Sequence, residues 1–150
     1  MSTFATETKI NAPVNEVWAA LADIGGIYRW NPGVQGSHVT TEQGEGLGAC
    51  RRCDLGGKNY LDEEVVKWEV GKFLTMRITD TNLPFKTADI RFTLRDDNGA
   101  TVVEVSPDYE LKYGLLGRFL DTVYVRGTYE KGMNELLAGL KQHVEQSKSA

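Results

Sequence analysis

Turn signals interrupt the chain at short intervals between Val34 and Tyr109, and this spacing constrains the fold more than any other feature. About six segments of strand length lie between the turns. They are too close together for helical crossovers, so neighbouring strands must pair antiparallel, as hairpins. The turn signals are Gly44–Gly48, Gly56-Gly57, Val70-Gly71, Asn82-Leu83-Pro84 and Asn98-Gly99, and Asn-Gly is the strongest hairpin signal among them.

The N-terminal segment adds one strand and two short helices. Alternation from Phe4 to Ile10 predicts a strand. Pro13 and Glu16 are typical of a helix start, and Gly25-Gly26 ends that helix. A second short helical turn follows and ends at Trp30.

The C-terminal segment changes to a helical period. Its apolar residues share one helical face and predict a helix from about Leu115 to Gln146. These residues are Leu116, Phe119, Val123, Met133, Leu137, Leu140 and Val144. A sheet has one apolar face to cover, and this helix is the only large cover available. We therefore predict an α+β fold for residues 1–150 as a single domain, with a curved antiparallel sheet of about seven strands wrapped around the long helix.

Charge and apolar content exclude several partners. The net charge of −4 argues against binding to nucleic acids and against electrostatic docking on anionic membranes. No apolar run is long enough for a membrane span. The N-terminus lacks the features of a signal peptide, so we expect a cytoplasmic protein with reduced cysteines.

Turn geometry predicts which side chains face the interior. A two-residue turn at Asn98-Gly99 pairs Leu94 with Val103 and Phe92 with Val105, four apolar residues on one face. A two-residue turn at Val70-Gly71 likewise pairs Met76 with Val65 and Leu74 with Lys67. It also places Trp68 opposite Phe73 on the outer face, as a cross-strand contact or, less simply, a partner surface.

The hairpin at Gly56-Gly57 carries the charged candidates. A two-residue turn there places Leu61 opposite Arg52 and Glu63 opposite Cys50, so Arg52 and Glu63 face inward. Charges in an apolar lining must be paired, and a polar anchor for a ligand is their simplest role. A bulge that flips the strand into solvent is the alternative.

The cysteine, histidine and Arg126–Glu130 patterns give weaker indications of a functional site. The cysteines of Cys50-Arg51-Arg52-Cys53 point to opposite faces of a strand, and His38 and His143 lie on different elements, so we predict neither a metal site nor a cofactor. Arg126 and Glu130 either form an exposed pair or face the pocket.

Five segments together resemble a known family. In order and spacing, Ile10–Trp18, Trp30–Gly33, Gly46–Arg52, Glu63–Glu69 and Tyr113–Arg118 resemble START-like (SRPBCC) domains of the polyketide cyclase/dehydrase and lipid-transport branch. The resemblance implies the helix-grip fold of Bet v 1-like proteins, with a cavity between sheet and helix. In the cyclases an inward arginine and pocket hydroxyls steer a polyketide chain, roles that Arg52 and Tyr109 would match.

We therefore expect a protein that binds a lipophilic small molecule such as a lipid, polyketide or aromatic compound, in a pocket of roughly 300–1,000 Å³. A cyclase or dehydratase that uses Arg52 with Glu63 or Tyr109 is the alternative. The oligomeric state, monomer or homodimer, stays open. The predicted ligand-binding residues are Trp30, Cys50, Arg52, Leu61, Glu63, Val65, Leu74, Met76, Ile90, Phe92, Val103, Val105, Tyr109, Phe119, Val123, Arg126 and Met133.

Overall fold

The computed structural model of the chain describes residues 2–149, without the side chains of residues 122, 123, 148 and 149. The strands are β1 (Ser2–Thr3), β2 (Thr6–Ile10), β3 (Gly36–Val39), β4 (Cys50–Gly56), β5 (Asn59–Glu69), β6 (Phe73–Thr81), β7 (Phe85–Asp97) and β8 (Ala100–Leu111). The helices are α1 (Val14–Ala22), a 3-10 helix (Ile24–Arg29), α2 (Gly114–Leu120), a π-helical turn (Asp121–Val125) and α3 (Arg126–Ser149).

All strand pairs are antiparallel and form one curved, unclosed sheet in the order β1-β8-β7-β6-β5-β4-β3. The N-terminal strand is split in two, and both β1 and β2 pair with β8. α3 packs against the inner face of this sheet, with Leu136, Leu137, Leu140 and Val144 in the buried apolar cluster. The predicted α+β helix-grip fold, with helices between the first strand and the rest of the sheet, is thus confirmed.

Two of the predicted hairpin registers hold. Leu94 pairs with Val103 and Phe92 with Val105, because the two-residue turn at Asn98-Gly99 fixes the register over the whole hairpin. Met76 pairs with Val65 as predicted.

The predicted pairing of Trp68 is wrong. A bulge between Val65 and Lys67 shifts the rest of β5, so that Trp68 pairs with Leu74 and not with Phe73. Trp68 is partly buried against the apolar cluster, and its ring meets the ring of Trp18 edge-to-face at 5.0 Å. The same shift gives Lys67 Thr75 as its partner in place of Leu74.

The C-terminal helical segment is interrupted at the π-helical turn. A π turn holds one residue more than an α turn, so it rotates the apolar stripe by about 100° relative to a continuous helix. Leu116 and Phe119, predicted to face the interior, are therefore exposed, whereas the residues of α3 keep their predicted inward face. Within residues 2–149, no helix combines the length and the apolar character that a membrane span requires.

Gly139 sets the distance between α3 and the segment after the 3-10 helix. A Cβ at this position would lie 1.9 Å from the carbonyl oxygen of Trp30, so only glycine permits this approach. The buried Trp30 thereby packs below α3.

We predict that Gly139→Ala lowers the free energy of unfolding by about 1–3 kcal/mol, because the backbone of α3 must move away from Trp30. Gly127→Ala is the matched control in the same helix. A Cβ at Gly127 meets nothing within 4 Å, so this change raises the free energy of unfolding by about 0.5–1 kcal/mol. Urea denaturation measures both, and effects of the same sign would contradict this packing.

Candidate functional site

The hairpin between β4 and β5 contains one residue more than predicted on the β4 side. Gly56 pairs with Asn59, and a bulge between Asp54 and Gly56 then shifts the register. The backbone accommodates this at Gly56 and Gly57, which adopt positive φ angles of 96° and 59°. As a result, Arg51 pairs with Glu63 and Arg52 with Asp62. Because side chains alternate between faces, the shift turns Arg51 inward and Arg52 outward.

The predicted inward placement of Arg52 and Cys50 is therefore wrong. Arg52 is 44% exposed on the outer face, where its guanidinium donates hydrogen bonds to both carboxylate oxygens of Asp62 at 2.6 and 2.7 Å. It also stacks on the ring of Tyr60 at 4.4 Å. These hydrogen bonds hold the pKa of Asp62 below its usual value. Cys50 pairs with Glu64 on the same outer face.

Arg51 is the arginine that enters the interior, and sequence reasoning missed it. It is 5% exposed and Glu63 is 3% exposed, so the predicted inward position of Glu63 is correct. The Nε–H of Arg51 donates to Oε1 of Glu63 at 3.0 Å, and an Nη1–H donates to the carbonyl oxygen of Ile24 at 3.0 Å. The pair thus ties β4 and β5 to the start of the 3-10 helix.

A buried thiol completes this polar group. The Sγ–H of Cys53 donates to Oε1 of Glu63 at 3.7 Å. Burial is the largest cause that raises the pKa of the Cys53 thiol to about 12; Arg51 opposes this rise and the nearby Glu63 adds to it. At neutral pH the thiol therefore stays protonated and acts as a weak donor, not as a nucleophile.

The Arg51–Glu63 pair faces a cavity of about 170 Å³ between the sheet and α3. Its remaining walls are mostly apolar and include Ile27, Leu61, Ile90, Phe92, Met133 and Leu136. Four of the predicted lining residues, Leu61, Ile90, Phe92 and Met133, lie here together with Glu63. The cavity is smaller than the range expected from the sequence.

The other predicted wall residues of the sheet fill the core. Val65, Leu74, Met76, Val103 and Val105 are buried on the inner face, as predicted, but belong to the solid apolar cluster and not to the cavity wall.

A second polar group lies at the π-helical turn that precedes α3. The buried hydroxyl of Tyr109 and the hydroxyl of Ser2 both donate to the carboxylate of Asp121. Burial and the contact with Asp121 raise the pKa of Tyr109. These three residues line a second cavity, of about 240 Å³, below α2. Tyr109 is inward-facing, as predicted, but its hydroxyl belongs to this second cavity.

Tyr129 lies between the two polar groups and was not predicted. Its ring contacts those of Tyr109, Phe85 and Phe4, at centroid distances of 5.0, 5.7 and 5.5 Å. Burial raises its pKa, and the charge of Glu63 and the proximity of Tyr109 add to this effect. The signal was available, because Tyr129 precedes Met133 by four residues on the inward face of α3.

The remaining predicted site residues lie elsewhere. Arg126 donates to Glu130 at 3.2 Å as a half-exposed pair, so the pocket-facing alternative is wrong. Phe119 is exposed. Trp30 is buried and borders a groove on the outside of α3. The side chain of Val123 lies outside the described residues.

Metal binding finds no support in the described part of the chain. In that part no group of three or more His, Cys, Asp and Glu side chains could hold an ion.

Comparisons with known proteins agree with this geometry. The sequence model of a family described as polyketide cyclase / dehydrase and lipid transport matches residues 1–145. No curated protein matches the chain.

Solved structures similar to this chain cover nearly all of it. A Thermus thermophilus protein has 20% identity and a TM-score of 0.81 over 97% of this chain and 99% of its own. A START superfamily protein from Mycobacterium smegmatis has 17% identity and a TM-score of 0.79 over 96% and 97%. The Zhui aromatase/cyclase from Streptomyces has 15% identity and a TM-score of 0.80 over 97% and 94%. At these identities the likeness establishes the fold.

We predict that the two adjacent arginines differ sharply in their effect on stability. Arg51→Met leaves the carboxylate of Glu63 buried without its partner and costs about 3–5 kcal/mol of the free energy of unfolding. Arg52→Met removes only an exposed ion pair and changes the free energy of unfolding little. The double change Arg51→Met with Glu63→Leu recovers most of the loss, because no buried charge remains. Equal effects of the two single changes in urea denaturation would contradict the register.

Proposed function

The chain belongs to the polyketide cyclase/dehydrase and lipid transport family, and from this premise we propose that it binds a lipophilic small molecule in the cavity between the sheet and α3. The observation that carries the proposal is a buried ion pair, Arg51 with Glu63, on the wall of an otherwise mostly apolar cavity. Apolar burial would supply the affinity, at about 25 cal/mol per Å². The ion pair would orient the polar group of the ligand.

The charge of the pair favours a neutral ligand. Arg51 and Glu63 cancel each other, so an ionised ligand would add an uncompensated charge in a site with little water. A carbonyl oxygen can accept from the guanidinium, which has five N–H donors, and a hydroxyl can donate to the carboxylate. Aromatic ketones meet the first requirement and phenols meet the second.

The volume of the cavity at Arg51 is enough for one ring of a ligand. An engineered cavity of about 150 Å³ holds benzene, and the cavity at Arg51 is of similar size, about 170 Å³. A longer lipid or polyketide would need more room. Displacement of Tyr129, whose ring contacts that of Tyr109 at 5.0 Å, would supply it.

Location and partners stay predictions from the sequence. We retain a cytoplasmic location, a single domain and no nucleic-acid partner, and we leave monomer and homodimer open.

We predict that phenol and acetophenone bind with dissociation constants near about 1 mM and that benzoate binds at least about tenfold more weakly. Titration followed by NMR chemical shifts measures all three. Met133→Trp fills the cavity and abolishes binding, whereas Leu47→Trp adds the same ring at an exposed site and leaves binding unchanged. Benzoate binding as tightly as phenol, or unchanged binding in Met133→Trp, would refute the proposal.

A catalytic role is the second candidate, favoured by the presence of a cation and a carboxylate at one cavity. Arg51 takes the position that the sequence assigned to Arg52. The carboxylate of Glu63 would remove a proton from the carbon next to a ligand carbonyl. The electrons of the broken C–H bond would move to the carbonyl oxygen, and the N–H groups of Arg51 would stabilise the enolate.

We predict for this candidate that the protein accelerates exchange of the methyl protons of acetophenone in D₂O at least about tenfold over buffer. Solvent exchanges the proton on Glu63 for a deuteron, which the enolate then takes up. Glu63→Gln loses the acceleration, while Glu64→Gln, on the outer face, keeps it. NMR measures the exchange rate. If exchange is no faster than in buffer while the ligand still binds, the catalytic candidate is refuted and only the binding function remains.

A further inference from the structure

The segment from Tyr113 to Tyr124 exposes an unusual amount of apolar surface. Among the residues whose side chains the structure describes, nine large hydrophobic residues are exposed, and six of them lie in this segment. We call these six the α2 surface. Their exposed fractions range from 41% to 80%, and they are Tyr113, Leu115, Leu116, Phe119, Leu120 and Tyr124.

The burial pattern of this segment is the reverse of that of an ordinary amphipathic helix. The side that packs on the sheet carries Gly117, where a Cβ would lie 2.4 Å from the carbonyl oxygen of Lys112, and the carboxylate of Asp121. Tyr109 and Ser2 hold that carboxylate by hydrogen bonds. The polar and small residues are thus inside and the apolar residues outside, the reverse of the pattern that burial in one domain produces.

We propose that the α2 surface docks on a lipid bilayer with anionic headgroups. Between Leu111 and Thr128 the only acidic residue is the buried Asp121, whereas Lys112 and Arg118 are exposed cations; Arg126 is ion-paired with Glu130. The net charge of −4 describes the whole chain, but the exposed charges within residues 111–125 are positive. Tyrosines stand at both ends of the apolar row, the position that aromatic residues favour at a membrane interface.

The segment is too short to span a bilayer. It lies in the interface with its apolar side chains in the acyl boundary and its cations at the headgroups, as amphipathic surface helices do.

A second copy of this chain fits the α2 surface less well. A symmetric dimer through this face would bring two copies of Lys112 together, and the one acidic residue within 111–128, Asp121, is buried. The same cations complement anionic headgroups.

Sedimentation of the full chain with vesicles tests the proposal, without any ligand added for the cavity. We expect binding to vesicles of phosphatidylcholine with phosphatidylglycerol and weaker binding to phosphatidylcholine alone. Leu116→Ser with Phe119→Ser lowers the partition coefficient at least about tenfold. The matched control, Leu47→Ser with Val70→Ser, removes two aliphatic side chains that are equally exposed elsewhere and leaves the coefficient unchanged.

Two further measurements separate the possible occupants. Lys112→Glu lowers binding to the vesicles that contain phosphatidylglycerol and has little effect on phosphatidylcholine. Light scattering over a range of concentrations detects a dimer. The proposal is overturned if the wild-type chain stays in the supernatant, if both double variants lose binding equally, or if a dimer forms that only the α2 variant abolishes.

Discussion

One extra residue in β4 decides which charges enter the interior. With the bulge between Asp54 and Gly56, Arg51 meets Glu63 on the inner face and Arg52 meets Asp62 on the outer face. Without it, Arg52 would meet Glu63 on the inner face and Arg51 would meet Glu64 on the outer face. The cost of an unpaired buried charge is several kcal/mol, so the register and the ion pair stabilise each other. The position of the cavity polar group follows from this local irregularity.

Regular turns and periodic apolar faces were predictable, because their geometry repeats. The Asn98-Gly99 hairpin and the inward face of α3 from Met133 to Val144 follow from such repeats. The errors share one cause. The bulge in β4, the bulge in β5 and the π turn each insert one residue into a periodic pattern, and no residue type marks the insertion. Every side chain beyond it then changes face.

A charge argument could have rejected the predicted register of β4. Because Asp62, Glu63 and Glu64 are consecutive acids, only two antiparallel registers pair both arginines with an acid, and the observed register is one of them. Turn length alone gave a register that placed Arg51 opposite Asp62 but left Arg52 opposite Leu61, without an acidic partner. The arrangement of charges across two strands therefore carries register information that the turn between them does not.

Under the proposed binding function, the size of ligand that the interior can accept depends on whether Tyr129 moves. Its ring packs on Phe4, Phe85 and Tyr109, and each such aromatic contact contributes about 0.5–1.5 kcal/mol beyond its burial. Moving it therefore costs a few kcal/mol. A ligand offsets this cost if it buries roughly 100–200 Å² more apolar surface, at about 25 cal/mol per Å². One additional ring or a short alkyl chain is enough, so a compact ring would leave Tyr129 in place and a larger ligand would displace it.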